Sequence, residues 1–181
     1  MAGFGRRVAG AFMLDAATFE DVEHDATSSG QAAAVVVLAS LATGLGYLRP
    51  GGWALVAGSA VMALAGWFAS AGLLWMLGTR ILPGKQTEAD LGQLLRTVGF
   101  AQAPACLGGL SALPGVGTVA APAALLWMLA ATVVAVRQAL DYDDTFRAVL
   151  VCLLALTVQL VVTGLLVVFV LGLGLGVRNV F

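Results

Sequence analysis

The segment 18–31, TFEDVEHDATSSGQ, gathers the side chains that are best suited to chemistry. It contains four of the chain's ten acidic residues and its one histidine. On a helix, Glu20, Glu23 and His24 would share one face. Asp21 and His24 have the i, i+3 spacing that carboxylate-bridged metal sites use. The segment therefore raises three possibilities: a metal or catalytic site, a docking surface, or the polar edge of a membrane domain.

A metal site would need carboxylates from a second element. Asp141-Tyr142-Asp143 begins like a calcium-binding loop, but Phe146 stands where such a loop requires glycine. The candidate metal ligands are Glu20, Glu23, His24, Asp141 and Asp143. We nevertheless predict no bound metal. The acids are better interpreted as a solvated collar in which Glu23 or Asp25 forms surface pairs with Arg96, Arg137 or Arg147.

The rest of the chain is overwhelmingly apolar. It is 60% hydrophobic and 10% charged, whereas soluble domains are about a quarter charged. Uncharged runs of about 20 residues are typical of transmembrane helices, and continuous rather than alternating runs disfavour a β-barrel. We therefore predict an all-α, polytopic transmembrane helical bundle. Its five spans are 31–48, 53–77, 97–113, 119–136 and 149–177.

The basic residues predict the orientation of this bundle. Seven of the nine precede the first span or follow the second or fourth, and only Arg49 and Arg178 fall on the other side. Loops rich in Lys and Arg stay in the cytoplasm, so the N-terminus is expected there and the C-terminus outside. The excess of Arg over Lys, with abundant Ala, Gly and Val, is typical of a GC-rich bacterial genome. We expect a bacterial cytoplasmic (inner) membrane.

The predicted division has three parts. Residues 1–30 form a cytoplasmic amphipathic and acidic segment, 31–177 the transmembrane domain and 178–181 an external tail. Within the first part, residues 3–14 form a short amphipathic helix suited to lie on lipid.

A lipid- or partner-binding face is predicted at the cytoplasmic side. Phe4 and Phe12 share one face of the first helix, and Arg7 lies at its edge, where it can reach lipid phosphates. Arg96 and Arg137, in the cytoplasmic loops, complete this face.

The polar interior is sparse. Gln102 and Gln159 are the deepest polar side chains, and Pro104 and Pro122 should kink the third and fourth spans. No ionisable residue other than cysteine lies in the middle of a span, which weighs against ion-coupled transport and intramembrane proteolysis. We therefore predict no catalytic residue and no cofactor.

The second span carries small residues at helical spacing, Ser59 with Ala63 and Gly66 with Ser70. Small residues let helices approach closely. We expect this row to pack against another helix of the same chain, with a dimer interface as the alternative.

Three stretches resemble a known family. RTVGFAQAP (96–104) opens the third span, AVRQAL (135–140) closes the fourth, and Phe146-Arg147-Ala148 opens the fifth. With Phe19 and the acids ahead of the first span, residues 13–177 resemble the bacterial branch of the Yip family, the Ypt/Rab-interacting membrane proteins. The resemblance implies five spans, a cytoplasmic N-terminus and an external C-terminus.

The resemblance also bears on function. Eukaryotic Yip proteins act in vesicle traffic, associating with lipidated small GTPases and with one another. Their DLxGP-type motif is replaced here by Glu23-His24-Asp25-Ala26, which argues against a GTPase partner. We predict a non-enzymatic membrane protein that assembles with itself or another membrane protein, or that organises membrane lipids, without nucleic acid. The alternatives are a lipid- or small-solute-moving protein around Gln102, and a metal site at the cytoplasmic edge.

Overall fold

The computed structural model describes residues 3–45, 48–85, 87–113 and 115–178, with side chains described outside 48–51, 55 and 170–178. All regular structure in these ranges is helical. The α-helices are α1 Phe4–Phe12, α2 Ala16–His24, α3 Ser29–Leu45, α4 Leu48–Met76, α5 Leu91–Phe100, α6 Gly117–Ala139 and α7 Thr145–Arg178. The predicted external tail lies, apart from Arg178, outside the described residues.

Four helical stretches are long and apolar enough to cross a membrane. They are Ala26–Leu45, Gly52–Ile81, Gly117–Ala139 and Thr145–Phe169. These stretches overlap the predicted first, second, fourth and fifth spans. The all-helical prediction is confirmed, and the four stretches support a membrane protein.

The third predicted span is not one continuous helix. α5 ends at Phe100, and after a short turn a 3-10 helix, Ala103–Ala112, follows. Pro104 explains the break, because it has no N–H to donate to the carbonyl of Phe100 four residues earlier. A neighbour satisfies one carbonyl beyond the break: the Thr43 hydroxyl donates to Ala105 O at 2.9 Å.

Two irregularities shape α4. Gly52 has φ +64 and ψ −175, a backbone conformation that glycine adopts without a Cβ penalty. At the other end, α4 continues into a π-helical turn, Leu77–Ile81. Tyr142 fixes this turn from the α6–α7 loop, because its hydroxyl donates to Leu82 O at 2.6 Å.

The core lies toward one end of the bundle. We call this the acidic end, because the acidic segment, which includes α2, meets α1 and the loops around 83–85, 87–90 and 140–144 there. Its fully buried side chains include Phe19, Leu94, Phe100, Val136 and Val151. Toward the opposite end, α4, α6 and α7 leave large apolar side chains exposed, including Val61, Leu126 and Val168. Such an apolar surface is suited to hydrocarbon rather than water.

Candidate functional site

Arg7 is the cation at the centre of the acidic segment. Only 2% of its side chain is exposed. Its Nε donates to Asp21 Oδ2 at 2.8 Å, and its Nη2 lies 2.7 Å from Asp25 Oδ2. Its Nη1 donates to Gln31 Oε1 at 3.3 Å. The prediction that Arg7 reaches lipid is therefore wrong. The carboxylates of Asp21, on α2, and Asp25, directly after α2, bind the guanidinium inside the protein.

Asp25 also caps the next turn. Its Oδ1 accepts from the hydroxyl and backbone N–H of Thr27. The Thr27 hydroxyl and then the Arg7 guanidinium lower the pKa of Asp25 to about 2. The carboxylate therefore stays ionised at neutral pH and keeps its contacts with Arg7.

The two phenylalanines of the predicted lipid face lie differently. Phe4 is exposed. Phe12 packs on Trp127 of α6, with ring centroids 6.2 Å apart, and Trp127 Nε1 donates to Phe12 O at 2.6 Å. α1 is thus attached to α6 through Phe12, while Phe4 stays on the surface.

The arginines of the loops bind backbone carbonyls. Arg96 is 9% exposed, and its guanidinium donates to Val22 O and Glu23 O at the end of α2. Such carbonyls lack helical partners and carry partial negative charge. Arg137 Nε donates to Tyr142 O at 3.3 Å, and Arg147 Nη1 donates to Pro83 O at 2.8 Å. The predicted pairing of these arginines with Glu23 or Asp25 is not what the structure shows, and Arg96 is a buried helix cap rather than a surface residue.

Glu23 is a buried carboxyl group, 3% exposed, at the contact between α2 and α5. Gln93 Nε2 donates to Glu23 Oε1 at 3.1 Å, and the same Gln93 completes a capping box with Asp90 at the start of α5. Burial, reinforced by the negative charge of Asp141, raises the pKa of Glu23 to about 7. This carboxyl therefore changes charge near neutral pH.

The candidate metal ligands do not assemble into a site. Among the residues that the structure describes, no group of three or more His, Cys, Asp or Glu side chains could hold a metal ion. His24 Nδ1 lies 2.9 Å from Glu20 O on its own helix. That carbonyl, followed by the Glu23 charge, raises the pKa of His24. Asp143 is exposed in the loop before α7.

A second feature lies within the bundle: a cleft of about 570 Å³ between α3, α4, α6, α7 and the break after α5. Ser59, Ala63, Gly66 and Ser70 of α4 line it. A Cβ at Gly66 would meet no atom within 4 Å. Ser59 and Ser70 bond to Ser40 O of α3 and to Gln159 of α7, as expected for a row that packs within the chain, whereas Gly66 faces open space.

Of the polar and proline residues predicted for the bundle interior, Gln102 and Gln159 line the cleft. Pro104 is buried at the break, but Pro122 is exposed on the outer part of α6, so its predicted interior position is wrong. The glutamines and the small residues are recognisable in the sequence as separate features. The sequence carried no signal that both sets of residues border one cavity, because the cavity depends on the separation between α7 and α4.

The chain matches the family model of the Yip1 domain over residues 12–175. The searches of curated proteins and of solved structures found no match. The matched range includes α2 to α6, the cleft and nearly all of α7. The family match and the apolar helices together agree with the resemblance read from the sequence: this chain belongs to the Yip1 domain family of proteins and is a multi-pass membrane protein.

Proposed function

We propose that this chain is a non-enzymatic protein of a bacterial cytoplasmic membrane that acts by assembling with a second copy of itself. One observation carries the proposal. Every residue of 161–169 is exposed, so, among the residues that the structure describes, no helix packs closely against most of this stretch of α7. Without a hydrophobic force between helices in lipid, close packing of helices drives association, and the small residues Thr163 and Gly164 lie within this stretch.

The proposal includes five spans. α5 and the following 3-10 helix each contain ten residues. At about 1.5 Å and 2.0 Å per residue, they would together measure about 35 Å if roughly collinear, against a hydrocarbon core of about 30 Å. Five crossings would leave the termini on opposite sides. The basic loops favour a cytoplasmic N-terminus.

The acidic end supports a structural rather than catalytic role. Arg7 is occupied by carboxylates and Arg96 by helix carbonyls. We propose that it forms a rigid cytoplasmic base and that contact with lipid or a partner falls to exposed groups such as Phe4 and Arg137. A small GTPase is not proposed as a partner.

Cysteine cross-linking in native membranes tests the assembly. In a background with Cys106 and Cys152 replaced by Ala, single cysteines are placed along 161–169 and, as a control, at Val61, an exposed position of α4. We expect disulfide-linked dimers with a three-to-four-residue period along α7. Native mass spectrometry in mild detergent should then show a multiple of 18.4 kDa. Cross-linking of α7 no greater than at Val61, together with a monomer mass, would refute the proposal.

A second candidate is a protein that moves a lipid or small solute across the membrane. It is favoured by the cleft, which includes Gln102 beside the broken third span. Liposomes containing the purified protein should then equilibrate a fluorescent lipid or an entrapped solute faster than empty liposomes. Equal rates for several reporters would exclude this candidate.

A further inference from the structure

The cleft has the dimensions of a site for one elongated molecule. Its lining follows α4 from Ser59 to Leu74, which is about 22 Å along a helix axis. Its volume of about 570 Å³ falls within the range of about 300–1,000 Å³ that is typical of small-molecule sites. Gly66 keeps the middle of this wall open. The cleft therefore fits a molecule that is long and narrow and lies along the helices.

The lining is uncharged. No Asp, Glu, Lys, Arg or His is among the described residues that border the cleft. Most of its hydroxyl groups donate to backbone carbonyls, as Ser40 does to Val37 O and Thr132 to Met128 O. The protons of these hydroxyl groups are therefore not available to a ligand. A charged ligand would enter without a counter-ion, which is costly at low dielectric.

Two carboxamides keep free hydrogen-bonding groups. Ser70 Oγ donates to Gln159 Oε1 at 2.9 Å, while Gln159 Nε2 has no hydrogen-bond partner among the described residues. The Gln102 side chain likewise makes no hydrogen bond with any described residue. Gln159 lies about 21 Å along α7 from Thr145, so its N–H donors lie deep in the bundle, and Gln102 borders the same cleft. They match a ligand that offers carbonyl acceptors.

We propose that the cleft binds one neutral lipid of the diacylglycerol class, with an acyl chain along α4 and ester carbonyls accepting from Gln102 and Gln159. A phospholipid fits less well, because its phosphate would have to leave the interface for its ester groups to reach this depth. A quinone ring also fits less well, because Trp67 is the one aromatic side chain among the described lining residues. This inference goes beyond the assembly proposed above and does not require it.

Photolabelling tests the proposal. The purified protein is placed in nanodiscs of phosphatidylglycerol and phosphatidylethanolamine that contain a small fraction of diacylglycerol with a diazirine in one acyl chain. We expect labelled peptides from α4 and α7 that carry cleft residues. Unlabelled diacylglycerol should compete, whereas added phosphatidylglycerol or a menaquinone should not.

Matched variants connect the label to the cleft. Gly66→Leu fills the cleft and should reduce labelling at least fivefold. Gly58→Leu, on the same helix, is the control and should leave labelling unchanged, because a Cβ at Gly58 also meets nothing within 4 Å but Gly58 does not line the cleft. Gln159→Leu removes the amide donor and should reduce labelling severalfold.

Three results would overturn the proposal: equal labelling of Gly66→Leu and Gly58→Leu, equal competition by phosphatidylglycerol, or stronger competition by the menaquinone. Size-exclusion elution of each variant verifies that it is folded. Because labelling is measured on a single chain in a nanodisc, a negative cross-linking result for α7 would not affect this test, nor would a negative labelling result affect assembly.

Discussion

The two ends of this bundle are packed differently. At the acidic end, Phe19, Leu94 and Val136 are fully buried. At the other end, Leu126 of α6 and Val168 of α7 are each 68% exposed. The difference lies in the polar side chains, because Arg7, Arg96 and Tyr142 each connect segments that are distant in sequence. Close packing in this protein accompanies such polar connections.

The tryptophans follow the same division. Trp67, Trp75 and Trp127 donate their Nε1–H to Leu95 O, Ala89 O and Phe12 O at 2.9, 3.0 and 2.6 Å. Each bond joins a long helix to an element near the acidic end. Trp53, near the opposite end of α4, is 71% exposed. A tryptophan with an apolar body and a polar N–H suits a contact between two elements. Three tryptophans of this protein make such contacts.

The largest difference between the ends should come from removing Arg7. Arg7→Met leaves the carboxylates of Asp21 and Asp25 facing each other without their cation. Loss of one partner of a buried pair costs about 3–5 kcal/mol, and because Asp21 is partly exposed we expect about 3 kcal/mol. Thermal or denaturant unfolding in detergent, followed by circular dichroism, measures the change.

Arg6→Met is the matched control for this prediction. Arg6 is exposed on the same helix, so its loss should change the stability by less than about 0.5 kcal/mol. An equal effect of the two substitutions would show that the Arg7 cluster contributes no specific stability and that the acidic end is held together by apolar packing alone.

A second comparison makes one substitution at a closely packed glycine and at an open one. A Cβ at Gly99 would lie 2.8 Å from Ala32 Cβ and 3.2 Å from the Trp67 ring, whereas one at Gly66 meets nothing within 4 Å. Overpacking costs about 1–3 kcal/mol, so Gly99→Ala should destabilise by about 2 kcal/mol. Gly66→Ala should be neutral. Unfolding in the same detergent tests both, and a neutral Gly99→Ala would mean that α3 and α5 separate more easily than their contact suggests.

The sequence was sufficient for the helical class, the positions of four long helices and the family. Continuous apolar runs and a few helix-opening stretches carry that information locally. The sequence was insufficient to predict the contacts of Arg7 or the cleft. Whether Arg7 faces lipid or Asp21 depends on how α1 folds back onto α2, through Leu14 at φ +61. The cleft depends on the distance between helices, which no single segment encodes. Pro104 marks a break in the third span, but the sequence does not specify the 3-10 helix that follows.

Glu23 should make the acidic end sensitive to pH. Its pKa rises from an ordinary value of 4.5 to about 7 in the folded protein, so the folded state holds the proton more tightly than the unfolded state. Its contribution to stability is therefore greatest below about pH 4.5, falls between pH 4.5 and 7, and is constant above. Allowing for solvent screening and for Arg96 and His24 nearby, we expect the free energy of unfolding to fall by ~1–2 kcal/mol between pH 4.5 and 7.

Glu23→Gln isolates this effect from the ionisable side chains nearby, Glu20, His24 and Asp141. The variant keeps a group that can hydrogen-bond with Gln93 but cannot ionise. Unfolding measured from pH 5 to pH 8 should show a shallower fall in stability for the variant, and a variant more stable than the parent at pH 8. Parallel curves would mean that Glu23 titrates normally and that its burial is relieved when it ionises.

The smallest expected effect concerns the bond across the cleft. Ser70 to Gln159 is the one side-chain hydrogen bond between α7 and α4 among the described residues. Hydrogen bonds between membrane helices average about 0.6 kcal/mol, so a double-mutant cycle of Ser70→Ala and Gln159→Leu should give a coupling energy of about that size. A coupling energy above about 2 kcal/mol would show that α7 is fixed as firmly as the acidic end. The difference between the two ends would then lie in the shape of the helices rather than in the strength of their connections.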